Sequence, residues 1–208
     1  MSTNNEERSW FWKKPRSKWF LGIPIGAVVA FILGALALGG FNTALHMSSE
    51  TEFCFACHSH ELNIRPEYEA SSHAHNAAGV RAECADCHLP RPWLRYVWTK
   101  MVVSLDIIPE LQGKISTEEK YDARRGELKR KVWTQFKENG SEYCMHCHQW
   151  EHMAAEAQSR MASRMHERAQ ERGQTCIDCH RGLAHALRES DEQIWEEVKA
   201  SFEKEAPK

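Results

Sequence analysis

All eight cysteines of this 208-residue chain fall in four copies of Cys-x-x-Cys-His: Cys54-Phe-Ala-Cys57-His58, Cys84-Ala-Asp-Cys87-His88, Cys144-Met-His-Cys147-His148 and Cys176-Ile-Asp-Cys179-His180. Two thiols at this spacing form thioether bonds to the two vinyl groups of one haem, and the histidine that follows is held beneath the iron as an axial ligand. Zinc knuckles built from the same cysteines would leave the four adjacent histidines unexplained. Disulfides closing two-residue loops are strained and uncommon. With no cysteine left over, the pattern predicts four covalently bound haem c groups.

Each iron needs a ligand on its far side. Eight histidines lie outside the fifth motif position: His46, His60, His73, His75, His146, His152, His166 and His185. Neutral imidazole is the usual sixth ligand of low-potential cytochromes, whereas methionine raises the potential. His146 lies inside its own motif, and His152 follows His148 too closely to reach another haem. His73 or His75, His166 and His185 remain as the stronger candidates. Met153, Met161 and Met165 recur at helical spacing and read as packing residues rather than ligands.

The elements that position these residues must be built from a polar chain. Net charge is −2, which gives no reason to expect a nucleic-acid partner, and mean hydropathy is −0.60 despite one long apolar run. Such a chain cannot fill an ordinary core, so porphyrin must take that place. The motifs start 30, 60 and 32 residues apart, two pairs that suggest a duplicated dihaem unit. In the long middle segment, Ser116-x-x-Glu119 resembles a capping box, Tyr121, Leu128, Val132 and Phe136 follow at helical spacing, and Asn139-Gly140 closes the helix. Residues 149–172 read as a further helix stopped by Gly173. No useful strand alternation occurs, so the expected class is all-α: a haem-cored multihaem cytochrome c domain with one N-terminal transmembrane helix. Ile194, Trp195, Val198 and Phe202 share one face of a C-terminal helical tail, 189–208, that either packs on the domain or docks a partner.

The apolar run, Trp19 to Phe41, carries no charge and is long enough to cross a bilayer. It is too long for a signal-peptide core and continues past the cleavage-like Ala35-Leu36-Ala37. Arg8, Lys13, Lys14, Arg16 and Lys18 precede it, which by the positive-inside rule keeps residues 1–18 cytoplasmic and places the haem domain, 42–188, in the periplasm. Glycines 22, 26, 34, 39 and 40 allow close helix–helix contact, leaving a homo-oligomer open.

The anchor, the four motifs, and the stretches Gly79-Val-Arg-Ala-x-Cys84 and Gly173-Gln-Thr-Cys-Ile-Asp-Cys-His180-x-Gly-x-Ala-His185 resemble the NapC/NrfH/NirT family of membrane-anchored tetrahaem quinol dehydrogenases, nearer the NapC and CymA type than the NrfH type. The resemblance implies His185 as distal ligand to haem 2, His73 to haem 3 and His166 to haem 4. It implies that haem 1, open on its distal side, is where quinol is oxidised. Family members usually carry methionine two residues after the first motif's histidine; His60 stands there instead, so His58 and His60 are alternative ligands to iron 1. Lys100 and Asp106 match a lysine that contacts the quinol oxygen and an acid near haem 1. That chemistry is coherent: quinol oxidation releases two protons, a carboxylate can take one, and an ammonium stabilises the developing quinolate. The apolar residues from Trp93 to Ile108 read as an amphipathic segment on the membrane surface. The resemblance thus implies an electron-transfer protein of the inner membrane that takes electrons from menaquinol or ubiquinol and delivers them to a periplasmic reductase or cytochrome. Two alternatives are a catalytic reductase of a small oxyanion and the reverse flow, from a periplasmic dehydrogenase into quinone.

Overall fold

The computed structural model describes residues 19–20 and 23–205; the basic N-terminal residues 8–18 and the last three residues lie outside the described part. The chain divides into two units, residues 1–47 and 48–208. The first holds a two-residue strand pair, β1 (Trp19–Phe20) against β2 (Ile23–Pro24), and helix α1 (Ile25–Met47). The apolar run predicted a helix from Trp19; it begins instead at Ile25, just past Pro24, whose missing N–H is harmless only at a helix start. The helix continues through Asn42 and Thr43, whose side chains donate back to the carbonyls of Leu38 and Gly39 and so need no water. Its 23 residues span about 35 Å, none of them is buried, and it is long and apolar enough to cross a membrane.

The second unit is all-helical among its described residues: α2 (Thr51–Phe55), α3 (His58–Asn63), α4 (Arg65–Glu69), α5 (Cys84–His88), α6 (Trp93–Ser104), α7 (Ile107–Leu111), α8 (Glu118–Glu138), α9 (Glu142–Met145), α10 (Arg160–Glu171) and α11 (Asp191–Glu205), with single 3-10 turns at Trp150–His152, Ala155–Ala157 and Cys176–Asp178. The backbone of this unit is α8. Its cap is Thr117, one residue later than the sequence pattern suggested, whose side chain accepts from the Lys120 amide. At the other end Asn139 caps it, and Gly140 (φ 63°) and Ser141 (φ 59°) both take the left-handed conformation. A serine there is strained, but its buried hydroxyl accepts from the Ile177 amide at 3.2 Å, which ties the fourth motif to the end of α8.

The tail packs on its own domain. Trp195 (1% exposed) and Val198 (2%) join Ile194, Trp133 of α8 and Ile177, one of the two residues between the cysteines of the fourth motif, with Phe136 and Phe202 against them. Trp195 meets Trp133 edge-on at 6.0 Å, and the Arg181 guanidinium lies over the Trp195 ring. Lys129–Asp191, Arg130–Glu197 and Arg181–Glu192 line the seam. The segment 149–172 departs from its expected single helix. The chain runs through two isolated turns to Ser159, which caps α10 by accepting from Ala162, and α10 ends where Gly173 turns left-handed at φ 61°. Met161 (72% exposed) and Met165 (46%) lie outside the protein core of this unit.

Replacing Trp195 with alanine removes the most deeply buried side chain of this seam. Denaturant unfolding followed by circular dichroism is expected to show a loss of about 3–5 kcal/mol, together with loosening of the fourth motif.

Candidate haem sites

The four motifs form an unbroken series in chain order. The Cys54 and Cys84 sulfurs lie within hydrogen-bond reach of each other, and so do those of Cys144 and Cys176. Between the pairs, α5 packs on α9 and Cys87 is within electrostatic reach of Cys147. The two pairs are built alike. In the second motif of each, the aspartate between the cysteines closes a capping box, Glu83 with Asp86 and Thr175 with Asp178, so the short motif helix satisfies its own amides. Asp178 is further held by Lys137 at 2.7 and 2.8 Å, and Asp86 by Arg91 at 3.1 Å. Three residues ahead of the first cysteine of each pair stands a buried hydroxyl, Thr51 or Ser141. Thr51 accepts from the Cys84 amide at 3.0 Å, as Ser141 does from that of Ile177.

Three motif histidines each face one imidazole from elsewhere in the chain. His88 and His185 have ring centres 6.3 Å apart, His148 and His73 6.2 Å, and His180 and His166 6.0 Å. Metal–imidazole bonds of about 2 Å on both sides of an iron put two axial rings about 6 Å apart between centres. The donors are suited as well as spaced. Desolvation by the surrounding chain, then the charges of His185 and His60, push the His88 pKa down to about 4. Desolvation, then Lys129, Arg125 and His60, push His185 down to about 4. Both are therefore neutral, as a ligand must be. The buried Nδ1 atoms of His73 and His185 have no hydrogen-bond partner. The residues present thus fit haem c at the second, third and fourth motifs. His75, which the sequence left as an alternative to His73, instead bonds Glu69 at 2.9 Å, and His146 and His152 are exposed.

The first motif differs. Neither His58 nor His60 faces a second imidazole among the described ring contacts. His60 bonds the Cys54 backbone and lies within electrostatic reach of Glu110 and Asp106, which raise its pKa, while desolvation outweighs them and lowers it. Glu110 accepts from the Ser59 amide at 3.1 Å through Oε1, and its buried Oε2 has no partner. The sequence reading passed over Glu110; its one signal was its place a helical turn beyond Asp106. Lys100 is held at the same motif: its ammonium donates to the Ser48 carbonyl and, at 2.9 Å, to the Ser49 hydroxyl, which also meets the Tyr96 hydroxyl. It lies over the Phe53 ring at 5.8 Å, and burial lowers its pKa against the influence of Cys54. Around it the usual amphipathy is inverted. Tyr96, Val97, Thr99 and Lys100 turn inward, while Leu94 (76% exposed), Trp98 (65%), Leu105 (60%) and Leu111 (79%) face out.

Comparison with known proteins identifies the family. The family model described as the NapC/NirT cytochrome c family, N-terminal region, matches residues 15–190. The cytochrome c-type protein NapC of Escherichia coli K12 is 37% identical over 181 residues, covering 87% of this chain and 90% of the relative. NapC of Paracoccus pantotrophus is 40% identical, covering 86% and 76%, and the denitrification system component NirT of Stutzerimonas stutzeri is 38% identical, covering 85% and 87%. No solved structure gives a significant match. The motif series, the facing imidazoles, the single apolar N-terminal helix and the match along nearly the whole chain lead to one conclusion: this chain belongs to the NapC/NirT cytochrome c family, multihaem c-type cytochromes with a role in electron transfer.

Proposed function

We propose that this protein is a membrane-anchored tetrahaem cytochrome that takes electrons from membrane quinol at the first motif and delivers them to a periplasmic reductase or cytochrome. Haem c, when bound, supplies one-electron redox chemistry. Cys54 and Cys57, Cys84 and Cys87, Cys144 and Cys147, and Cys176 and Cys179 attach it; His88 with His185, His148 with His73, and His180 with His166 hold three of the irons; His58 or His60 holds the first. The observation that carries the quinol reading is the inverted face of α6 and α7. An apolar surface outside and a lysine tucked inward beside the first motif is an arrangement water disfavours and a bilayer stabilises. It brings a lipid-soluble ring to a polar group.

In this reading Lys100 orients the quinol oxygen and stabilises negative charge as its proton leaves, and Asp106 accepts a proton. The basic residues ahead of α1 keep the N-terminus cytoplasmic and the haem domain periplasmic. Fixed imidazoles on both sides of three sites favour electron relay over substrate chemistry, which needs an open iron. This sets the relay ahead of an oxyanion reductase.

Three outcomes test the reading. Replacing His73, His166 or His185 singly should convert one low-spin signal in the electron paramagnetic resonance spectrum to high-spin; an unchanged spectrum in all three variants would remove them as ligands. Lys100→Gln and Asp106→Asn should slow reduction by quinol while dithionite reduction and haem content hold; wild-type quinol rates in both would return the two residues to surface charges. His60→Met separates the two candidates at the first motif. A rise in the potential of the high-spin haem identifies His60 as ligand, and an unchanged potential with an intact spectrum identifies His58.

A further inference from the structure

The three imidazoles that face motif histidines differ in what meets their Nδ1 atoms. His166 has the neutral Gln158 carbonyl oxygen at 2.6 Å. His73 has nothing. His185 has a charge: Glu67 Oε2 lies 3.9 Å from its Nδ1, too far for a hydrogen bond but close for an electrostatic effect.

Glu67 is no surface acid. Its Oε1 accepts from Arg125 Nη1 at 2.7 Å, where the arginine side chain is 7% exposed. Its Oε2 accepts from the amide of Ala186, the residue after His185, at 3.2 Å. Arg125 also donates through Nε to Asp122 at 3.0 Å, and Asp122 accepts from Arg188 at 2.7 Å. One carboxylate therefore joins α4, α8 and the His185 segment. The charged or titratable groups around His185 besides Glu67 are Lys129, Arg125 and His60, which lower its pKa, and His88, which faces it; Lys129 is paired with Asp191 and donates to the Ala186 carbonyl at 2.9 Å. Among the described ion pairs, Glu67 is the carboxylate that reaches His185. Removing Arg125 leaves Glu67 without its cation, whereas removing Glu67 leaves Arg125 paired with Asp122 alone.

We propose that Glu67 and Arg125 are positioning residues that act on His185 with opposite sign and together set the redox potential of the haem that His185 serves. A carboxylate at the outer nitrogen of an axial imidazole makes the ring a stronger donor and favours the oxidised iron; a cation there does the reverse. Arg125 holds Glu67 back from His185 and so limits the effect. The inference rests on the reading of His185 as an iron ligand.

The test uses the full-length protein with its haems, in detergent, titrated potentiometrically with resonance detection. The low-spin signal lost on replacing His185 identifies the relevant haem. Glu67→Gln should shift its midpoint upward, because the negative charge 3.9 Å from Nδ1 is then lost while the cations remain. Arg125→Gln should shift it downward, because Glu67 is freed to take the Nδ1 proton, and Arg125→Lys should move it less. The signals lost on replacing His73 and His166 should stay in place. A general loosening of the fold would move both glutamine variants the same way; that result, or no shift, or a shift on another haem, overturns the proposal. Should Arg125→Gln fail to bind four haems, Glu67→Gln against Glu67→Asp decides: the amide raises the midpoint and the shorter acid does so less, whereas equal shifts overturn it. If replacing His185 removes no low-spin signal, the ligand reading fails instead, a result distinct from all of these.

Discussion

Two imidazole rings held about 6 Å apart, one from a motif and one from elsewhere in the chain, form the constraint around which the rest of this domain is arranged. The pair His73 and His148 is separated by 75 residues of sequence, and His88 and His185 by 97. Closing loops of that length costs chain entropy, and a domain with so few buried apolar side chains has little to set against it. The chain answers with ties beside several of the rings. Ala186 is pinned to Glu67 and Lys129, the fourth motif to Ser141 and Lys137, and His166 to Gln158.

The same economy explains why the attachment helices are so short and so heavily capped. A five-residue helix such as α5 satisfies almost none of its backbone groups internally. The aspartate between its cysteines and the residue before them bond each other's amides, and the solution recurs at the fourth motif with threonine in place of glutamate. The buried hydroxyls of Thr51 and Ser141 then bind one motif of each pair to its neighbour. Ser141 holds a left-handed backbone to do so, a local strain offset by the fixed position of the fourth motif.

In the proposed reading the surface divides by solvent. α8 and α11 present charged faces laced by ion pairs and bury a tryptophan-rich seam, as a water-facing helix pair does. α6 and α7 reverse this with apolar side chains outward and Lys100 inward, and α1 is apolar on every side. The polar composition of the chain and its exposed apolar residues are therefore compatible, because they belong to surfaces suited to different media.

The sequence by itself determined the number of attachment motifs, the helical class, the apolar N-terminal helix and the course of α8 up to Asn139, because each depends on spacing or periodicity within a short window. It also marked the face of α11, although only packing against Trp133 and Ile177 decided that this face turns to the domain. Local pattern failed where a distant partner intervened. Residues 149–172 carry helical periodicity, yet the chain breaks before Ser159, and the segment before the break brings Gln158 to His166. The choice between His73 and His75 is invisible in a stretch where both are equally placed; tertiary structure sets one against His148 and the other against Glu69. Glu67, Arg125 and Glu110 look like ordinary helix charges in the sequence. Only the fold buries them beside imidazoles, and burial is what turns a charge that water would screen into one that acts on its neighbours.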